Sequence, residues 1–493
     1  MLESAWQGLQ IVFSWPNILF PVGATLLAMF VAFVPGISGM TLMALAIPWT
    51  FGWGEIPTLL FFGALVGGGT FMGSVTAILF NIPGNAPSAA TLLDGHAMAR
   101  NGQAQTAIAC SASASALGST VGIALLIALI PLLRRVLTAI GPLELLLLTI
   151  WGLLTITLVT RRAPLKGLIA AGLGMAIGFV GRDPRTAELR FTLGLEYLTD
   201  GVPVVPALLG LFALAEMLDL YVSGRRTISA EGVDAPLGGS VREGLLAVFR
   251  HPLIFLRGSL LGTALGIVPG VGGTVAGFVA YGDAARADHE GRFGKGDIRG
   301  VLAPESAIDA KDGGSLVPLL AFGIPGSEGT ALLLTALMLH GITPGRELLE
   351  GQLTLAFVLI WSLFLSNWLT SILGLAVSRP LARLTVVPAQ ALVPVILVVL
   401  VLAALVERGS FGDLVLMTVF GLAGYAMKEF GWPRVAFVIA FVLASLFETN
   451  LHLTLRLYDL GRLDPFERPL ALGLFVALAL TVALPVARRL GSR

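Results

Sequence analysis

Apolar runs interrupted by Pro-Gly pairs and charged clusters organise this chain. In order, they cover residues 18–34, 39–51, 56–82, 105–133, 141–160, 164–180 and 203–222. After a polar stretch come 252–268, 271–285, 301–324, 328–341, 351–377, 390–406, 413–427, 433–449 and 468–486. Runs of this length predict membrane-crossing or re-entrant helices, and at roughly 20 residues per crossing the chain accommodates about 10 to 13 of them. The polar stretch predicts a division into a first membrane repeat at 1–222, a connecting segment at 223–250 and a second membrane repeat at 251–493. The run at 56–82 carries Gly67, Gly68 and Gly69 at its middle, which predicts a broken helix.

Composition agrees and narrows the class. Of 493 residues, 56% are hydrophobic and 12% charged, about half the roughly 25% charge of a soluble globular chain. The 60 glycines and 27 prolines suit membrane helices whose neighbours re-satisfy freed backbone groups. The expected fold class is therefore an all-α polytopic integral membrane protein. With 31 basic and 30 acidic residues, no global field points to nucleic acid. The single cysteine, Cys110, excludes a disulfide framework or thiolate metal site and reads as a small packing residue. The N-terminus lacks a basic region ahead of a short apolar core, so the first segment is expected to be retained. Arg379 and Arg383, Lys428 and Arg434, and Arg488, Arg489 and Arg493 are separated by two crossings each. The positive-inside rule then predicts a cytoplasmic C-terminus.

Spacings of four between glycines recur, at Gly63 and Gly67, Gly69 and Gly73, Gly174 and Gly178, and Gly262 and Gly266. They let helix backbones approach closely, and generic packing is the expected use. An internal repeat says more. Val34-Pro35-Gly36-Ile37-Ser38-Gly39 matches Val268-Pro269-Gly270-Val271-Gly272-Gly273, and Ile82-Pro83-Gly84 matches Ile324-Pro325-Gly326 downstream. Paired broken segments in two halves point to a transporter binding site. Pro-Gly inside a membrane segment breaks it into half-helices, because proline lacks an amide hydrogen and glycine accepts unusual dihedrals. Half-helices starting after Gly36, Gly84, Gly270 and Gly326 would each present free amides and about +0.5 of a charge to an anion, a carboxylate being the obvious candidate. Nearby basic residues are few, chiefly Arg100 and Lys311. Moving a dianion inward against about 100 mV costs roughly 4 to 5 kcal/mol, so three or more co-transported monovalent cations, Na+ or H+, are expected.

At these motifs the chain resembles the TctA family, the large membrane subunits of tripartite tricarboxylate transporters. The text that carries the resemblance is VPGISG and GGTFMGSVTAILFNIPGNAPSAATLLDGHAMARNGQA in the first half. In the second it is IVPGVGGTVAGFVAYG, FGKGDIRGVLAPES and GGSLVPLLAFGIPGSEGTALLLTALMLHGITPG. The resemblance implies a multi-pass symporter of the bacterial inner membrane built from two inverted repeats. It also implies two partners, a small TctB-like membrane subunit and a periplasmic TctC-like solute-binding protein that delivers an organic acid. Carried over by position, substrate-binding residues would be Pro35, Gly36, Ser38, Gly39, Asn81, Pro83, Gly84, Asn85 and Ser88 in the first half. Their counterparts are Pro269, Gly270, Gly272, Gly273, Thr274, Pro325, Gly326, Ser327 and Thr330. Two departures stand out: Asn85 where the family usually reads NIPGE, and PESAIDA where it reads PEAANNA, so that Ile308 and Asp309 replace two asparagines.

Glu305 and Asp309 have two readings, as solvated carboxylates where a loop meets a helix or as ligands of a coupling cation. Asp94 and His96 predict a helix-capping loop, His340 a helix-end hydrogen bond, and Glu144 a first-turn acid. No cofactor, metal site or catalytic residue is expected. Gly294-Lys295-Gly296-Asp297 and Tyr458-Asp459 spell the GxGD and YD pair of intramembrane aspartyl proteases, but both fall in polar loops. A passive organic-anion channel is the alternative function, since broken helices also build selectivity filters.

Overall fold

A computed structural model describes residues 1–33, 39–81, 83–159, 164–183, 185–223, 238–269, 272–381 and 389–490. The first half runs through α1 (Leu2–Phe13), α2 (Leu19–Phe33), α3 (Gly39–Trp49), α4 (Glu55–Gly68), α5 (Thr70–Phe80), α6 (Leu92–Arg100), α7 (Ala104–Ala139), α8 (Pro142–Val159) and α9 (Pro164–Gly178). A short antiparallel hairpin, β1 (Gly181–Arg182) and β2 (Leu189–Arg190), follows, with Gly181 opposite Arg190. Then α10 (Val204–Leu208), a π-helical turn at Leu209–Leu214 and α11 (Ala215–Ser223) form one continuous stretch. The second half runs through α12 (Val241–Arg250), α13 (Pro252–Ile267), α14 (Gly273–Arg286), α15 (Arg299–Phe322), α16 (Glu328–Leu339) and α17 (Leu353–Leu381). It ends in α18 (Ala389–Arg408), α19 (Phe411–Glu429), α20 (Arg434–Asp459) and α21 (Pro469–Leu490).

The chain is an all-α polytopic protein, as its apolar runs predict. Among the described residues, six helical stretches are long and apolar enough to cross a membrane, and α12 with α13, bent by 77°, make a seventh if they form one span. The helices flanking the Pro-Gly breaks, α2, α3 and α16, are shorter. The glycine run interrupts the helix only locally, at Gly69 between α4 and α5, and the two pieces continue as one 26-residue stretch, Glu55–Phe80, rather than as a broken helix.

Two helices differ from the sequence expectation. Residues 2–13 form α1, whose mixed composition falls below the signal of a membrane span. It docks through Gly8 against Phe357 and through the Trp361 Nε1 hydrogen bond to the Ala5 carbonyl at 2.9 Å. The polar connection ends in the amphipathic α12, capped by Ser240 and pressed through Gly244 onto α7 beside Thr106 and Ala109. Residues 224–237 of that connection lie outside the described ones.

Close helix contacts at glycine hold the core. Helix α15 is wedged between α7 and α13, with Gly118 and Gly122 on one side and Gly258, Gly262 and Gly266 on the other. A Cβ on Gly262 would lie 2.6 Å from the Ala307 Cα, and one on Gly118 would lie 3.0 Å from the Ser306 Cα. No hydrophobic effect drives helices together in lipid, so dispersion contact and interhelical hydrogen bonds, which close approach permits, supply the association. Gly63 and Gly67 meet α17 and Gly174 and Gly178 meet α20 in the same way, consistent with packing as the use of these spacings.

The two halves pack reciprocally. Ser366 and Thr370 of α17 donate to the Ala64 and Gly68 carbonyls of α4 at 2.7 and 3.1 Å, and Ser362 donates to Leu60. Equal steps of four on both helices mean that they run parallel. Helices α7 and α15 are likewise parallel, Ser111 bonding Glu305 and Ser115 bonding Asp309. The seventh helix thus lies along the fifteenth as the seventeenth lies along the fourth.

The glycine contacts generate a direct test. Gly262→Val would drive a side chain into the α15 backbone at a cost of about 1–3 kcal/mol or more. Gly172→Val, where no atom lies within 4 Å of the new Cβ, should stay within about 0.5 kcal/mol of the parent. Thermal unfolding in detergent should show a lowered midpoint for the first variant only. Equal midpoints would contradict the wedge.

Candidate functional site

The two repeated breaks have the same local construction. Asn81 and Gly323 both end a helix in the left-handed conformation, at φ 57° and 65°. After Gly323 the Ile324 amide returns to the Pro318 carbonyl at 3.2 Å, which satisfies a helix-end acceptor. Two to five residues past each Ile-Pro-Gly proline, the chain closes a reciprocal box. Ser88 N donates to Asn85 Oδ1 at 3.0 Å and the Ser88 hydroxyl to the Asn85 carbonyl at 2.8 Å. In the second half Ser327 N donates to Thr330 Oγ1 at 2.7 Å, and Thr330 N to Ser327 Oγ at 3.4 Å. Asn85 Nδ2 also reaches the Thr70 carbonyl at 3.1 Å, so this residue clips its loop onto the Gly69 interruption.

Both Pro-Gly glycines fill equivalent tight places. A Cβ on Gly84 would lie 2.7 Å from the Gly73 Cα and 3.2 Å from the Ala32 carbonyl. One on Gly326 would lie 2.9 Å from the Ser315 Cα and 2.9 Å from the Gly266 carbonyl. Each contact is to the residue eleven positions upstream and to the end of the helix that precedes the first break of its own half. The halves also meet at these starts. Pro87 of the first half lies against Gly273 at the start of α14, while Met40 of α3 lies against Gly329 at the start of α16.

This arrangement corrects one expectation. The segment after Gly84 opens as a 3-10 turn, Pro87–Ala89, and continues through Ala90 and Thr91 in helical conformation into α6, so its start lacks an α-helical first turn. Pro87 has no amide, and the Asn85–Ser88 box consumes the donors there. Helices α14 and α16 do begin at breaks. Ser327 and Thr330 satisfy one another, which leaves the Glu328 and Gly329 amides of α16, with the Gly273 and Thr274 amides of α14, unbonded among the described residues. Pro35, Gly36, Ser38 and Gly270 lie outside the described residues. Gly39 opens α3, Gly272 is the N-cap of α14, and Pro83 and Pro325 sit in the two breaks.

Lys311 is the cation at this junction. Its Cε is 3.6 Å from where a Gly273 Cβ would stand, beside Pro87, and its ammonium pairs with Asp312. Glu328, in the first turn of α16, feels both Lys311 and Arg434 and was not singled out from sequence. Arg100 is exposed at the far end of α6.

Glu305 and Asp309 are both 0% exposed, inside α15, which excludes the solvated reading. Glu305 accepts from Ser74 at 2.7 Å, from Ser111 at 2.6 Å and from Thr91. It thereby ties α5, the segment before α6 and α7 to α15. Asp309 accepts from Ser115 through one oxygen, and its Oδ1 has no partner. The serine stripe 111, 115, 119 on α7 was legible as spacing but had no partner to give it meaning until α15 was placed.

The other singled-out residues are structural. Asp94 is buried and accepts from Tyr281 Oη at 2.9 Å and from the Gly294, Gly296 and Asp297 amides at 2.9, 2.8 and 2.9 Å. The Gly294–Asp297 motif is therefore a backbone cradle, and Asp297 itself pairs with Arg299 at 2.6 Å. Desolvation raises the Asp297 carboxyl, but hydrogen bonds from Arg299 outweigh it and hold the group below its ordinary value. That tie persists at neutral pH and weakens only as pH falls through the carboxylate range. His96 bonds the Ile78 carbonyl of α5 at 3.1 Å, and Asp94 and His96 both lie within α6 rather than in a loop. His340 bridges the Ala336 and Thr50 carbonyls at 2.7 and 2.8 Å, a helix-end role. Glu144 caps Gly141 N at 2.8 Å and pairs with Arg468 at 2.6 Å.

Among the described residues, Asp183, Glu448 and His452 alone bring three such ligands within 4.8 Å. Arg190 already occupies that place, 3.0 Å from Asp183 and 2.6 Å from Glu448. It borders a cavity of about 600 Å³ between α9, α16 and α20.

The family model described as the tripartite tricarboxylate transporter TctA family matches residues 18–439. One similar protein is an uncharacterized 52.8 kDa protein in the TAR-I ttuC' 3' region of Agrobacterium vitis. It is 32% identical over 437 residues, covering 88% of this chain and 86% of the relative. An uncharacterized protein in the TAR-II ttuC' 3' region of the same organism is 32% identical over 191 residues, 38% of this chain and 79% of the relative. No solved structure matches.

Asp94→Asn places an amide donor among three backbone donors. Hydrogen exchange at residues 294–297 should accelerate about 10- to 100-fold, followed by mass spectrometry on the full chain. Unchanged protection would show that the cradle does not hold this loop.

Proposed function

The chain belongs to the tripartite tricarboxylate transporter TctA family, and from that premise we propose that it is the large membrane subunit of a cation-coupled carboxylate symporter. The observation that carries the reading is the junction of the two halves. Free first-turn amides of α14 and α16 stand at breaks, with Lys311 beside one and Glu328 at the other. Each helix start offers about +0.5 of a charge, which favours a carboxylate over a neutral solute, while the Lys311 ammonium is already shared with Asp312. Gly39, Gly272, Gly273, Thr274, Glu328 and Gly329 would face the bound acid. Asn81, Asn85, Ser88, Ser327 and Thr330 would hold the two breaks in shape around it.

The reciprocal packing of α7 on α15 and α17 on α4 supports two repeats related by an axis through the core, and in an inverted arrangement such repeats alternate access by rocking about a fixed site. Two partners belong to the proposal, a small membrane subunit and a periplasmic binding protein that presents the acid. Placement in a bacterial inner membrane with a cytoplasmic C-terminus belongs to it as well. The coupling cation, Na+ or H+, would bind among the buried acids of α15.

Proteoliposomes holding the chain and small subunit, supplied with the binding protein, should accumulate a radiolabelled dicarboxylate or tricarboxylate above its external concentration when an ion gradient is imposed. Uptake that stops at equilibrium would favour a passive channel. Gly84→Val and Gly326→Val should each lower uptake by at least about tenfold while the chain stays in the membrane, because each side chain would push two helix ends apart. Normal uptake by both variants would remove the breaks from the site.

A further inference from the structure

Within the coupled-symport reading, the geometry of α15 separates two acids that sequence alone treats alike. Glu305 has both oxygens bonded, one to Ser74 and Thr91 and the other to Ser111. Nothing remains for an exchangeable ion to displace without breaking three interhelical bonds. Asp309 has one oxygen on Ser115 and the other unbonded. Asp312, one turn further along, is 1% exposed; the Lys311 ammonium takes its Oδ1, and its Oδ2 has no hydrogen bond. The Ser119 hydroxyl, 0% exposed on the α7 stripe after Ser111 and Ser115, also lacks a partner.

Charge arithmetic reinforces the asymmetry. The charges acting on Asp309 are Asp312, Glu305 and Lys311, all on its own helix, while α7 and α5 present it with hydroxyls from Ser115 and Thr70. Three buried carboxylates against one ammonium leave two negative charges uncompensated, a state that buried groups do not sustain. Glu305 sits among three hydroxyl donors, which stabilise it in either protonation state. Asp309 has fewer such donors, Ser115 and Thr70, and faces two neighbouring acids.

We propose that Asp309 and Asp312, with the Ser115 and Ser119 hydroxyls, form the position that takes up an exchangeable monovalent cation, and that Glu305 is a fixed strut between helices. Oxygen ligands of this number suit a small hard cation or a shared proton. The three α15 acids do not form a group of three ligands within 4.8 Å, which argues against a divalent ion.

The test is thermal unfolding of the purified full-length chain, which needs neither substrate nor partners and so fails independently of the transport reading. NaCl is titrated at constant ionic strength with choline chloride, and separately pH is varied without sodium. A ligand that binds the folded state raises the midpoint by mass action. Sodium should stabilise the parent, and Asp309→Asn and Ser119→Ala should weaken that response about 10- to 100-fold, while Glu305→Gln lowers the midpoint but keeps the dependence. If sodium has no effect on the parent and Asp309→Asn flattens the pH dependence, the cation is a proton and the position stands. If Asp309→Asn keeps both responses of the parent, or Glu305→Gln removes them, the assignment is overturned.

Discussion

Backbone polar groups inside a bilayer need partners, and the rest of this structure follows from how the chain meets that requirement at its broken helices. Each Pro-Gly interruption exposes amides and carbonyls that a continuous helix would satisfy. At the two Ile-Pro-Gly breaks they are covered by boxes built from neighbouring side chains, Asn85 with Ser88 and Ser327 with Thr330. Left-handed residues at Asn81 and Gly323 turn the chain back under itself. The few amides left over, in the first turns of α14 and α16, stand where the two halves touch. A site for an anion is what such leftover donors make available.

Close approach is the second requirement, and glycine supplies it. Gly84 and Gly326 let each break sink against the helix end upstream, and Gly118, Gly122 and Gly262 let α15 pass between α7 and α13. With α15 held so tightly, Glu305 and Asp309 have hydroxyls for partners and Asp312 has the Lys311 ammonium. Glu305 becomes a joint among helices, and Asp309 and Asp312 are the buried acids proposed to hold an exchangeable cation.

Fold class and the two breaks were legible in the sequence, because apolar run length and Pro-Gly pairs act locally. The interruption at Gly69 was legible for the same reason, but it leaves Glu55–Phe80 one stretch. The reciprocal contacts were not, since Pro87 against Gly273 and Met40 against Gly329 join residues far apart in the chain. Sequence spacing also promised four helix starts, whereas Pro87 and the Asn85–Ser88 box turn one of them into a 3-10 turn. Glu305 and Asp309 could be named from their motif, but their burial and their unequal partners needed α7 in place. The GxGD text of residues 294–297 shows the converse: its backbone amides, rather than its aspartate, do the binding, and the ligand is Asp94 from the other half.

The central claim is that a carboxylate sits where the two halves join. An experimental structure of the complete complex with a bound di- or tricarboxylate tests it most directly. The account predicts carboxylate oxygens within hydrogen-bond range of the first-turn amides of α14 and α16, with the Lys311 ammonium beside them. Substrate density seated away from those helix starts, for instance in the cavity bordered by Arg190 and Glu448, would contradict it.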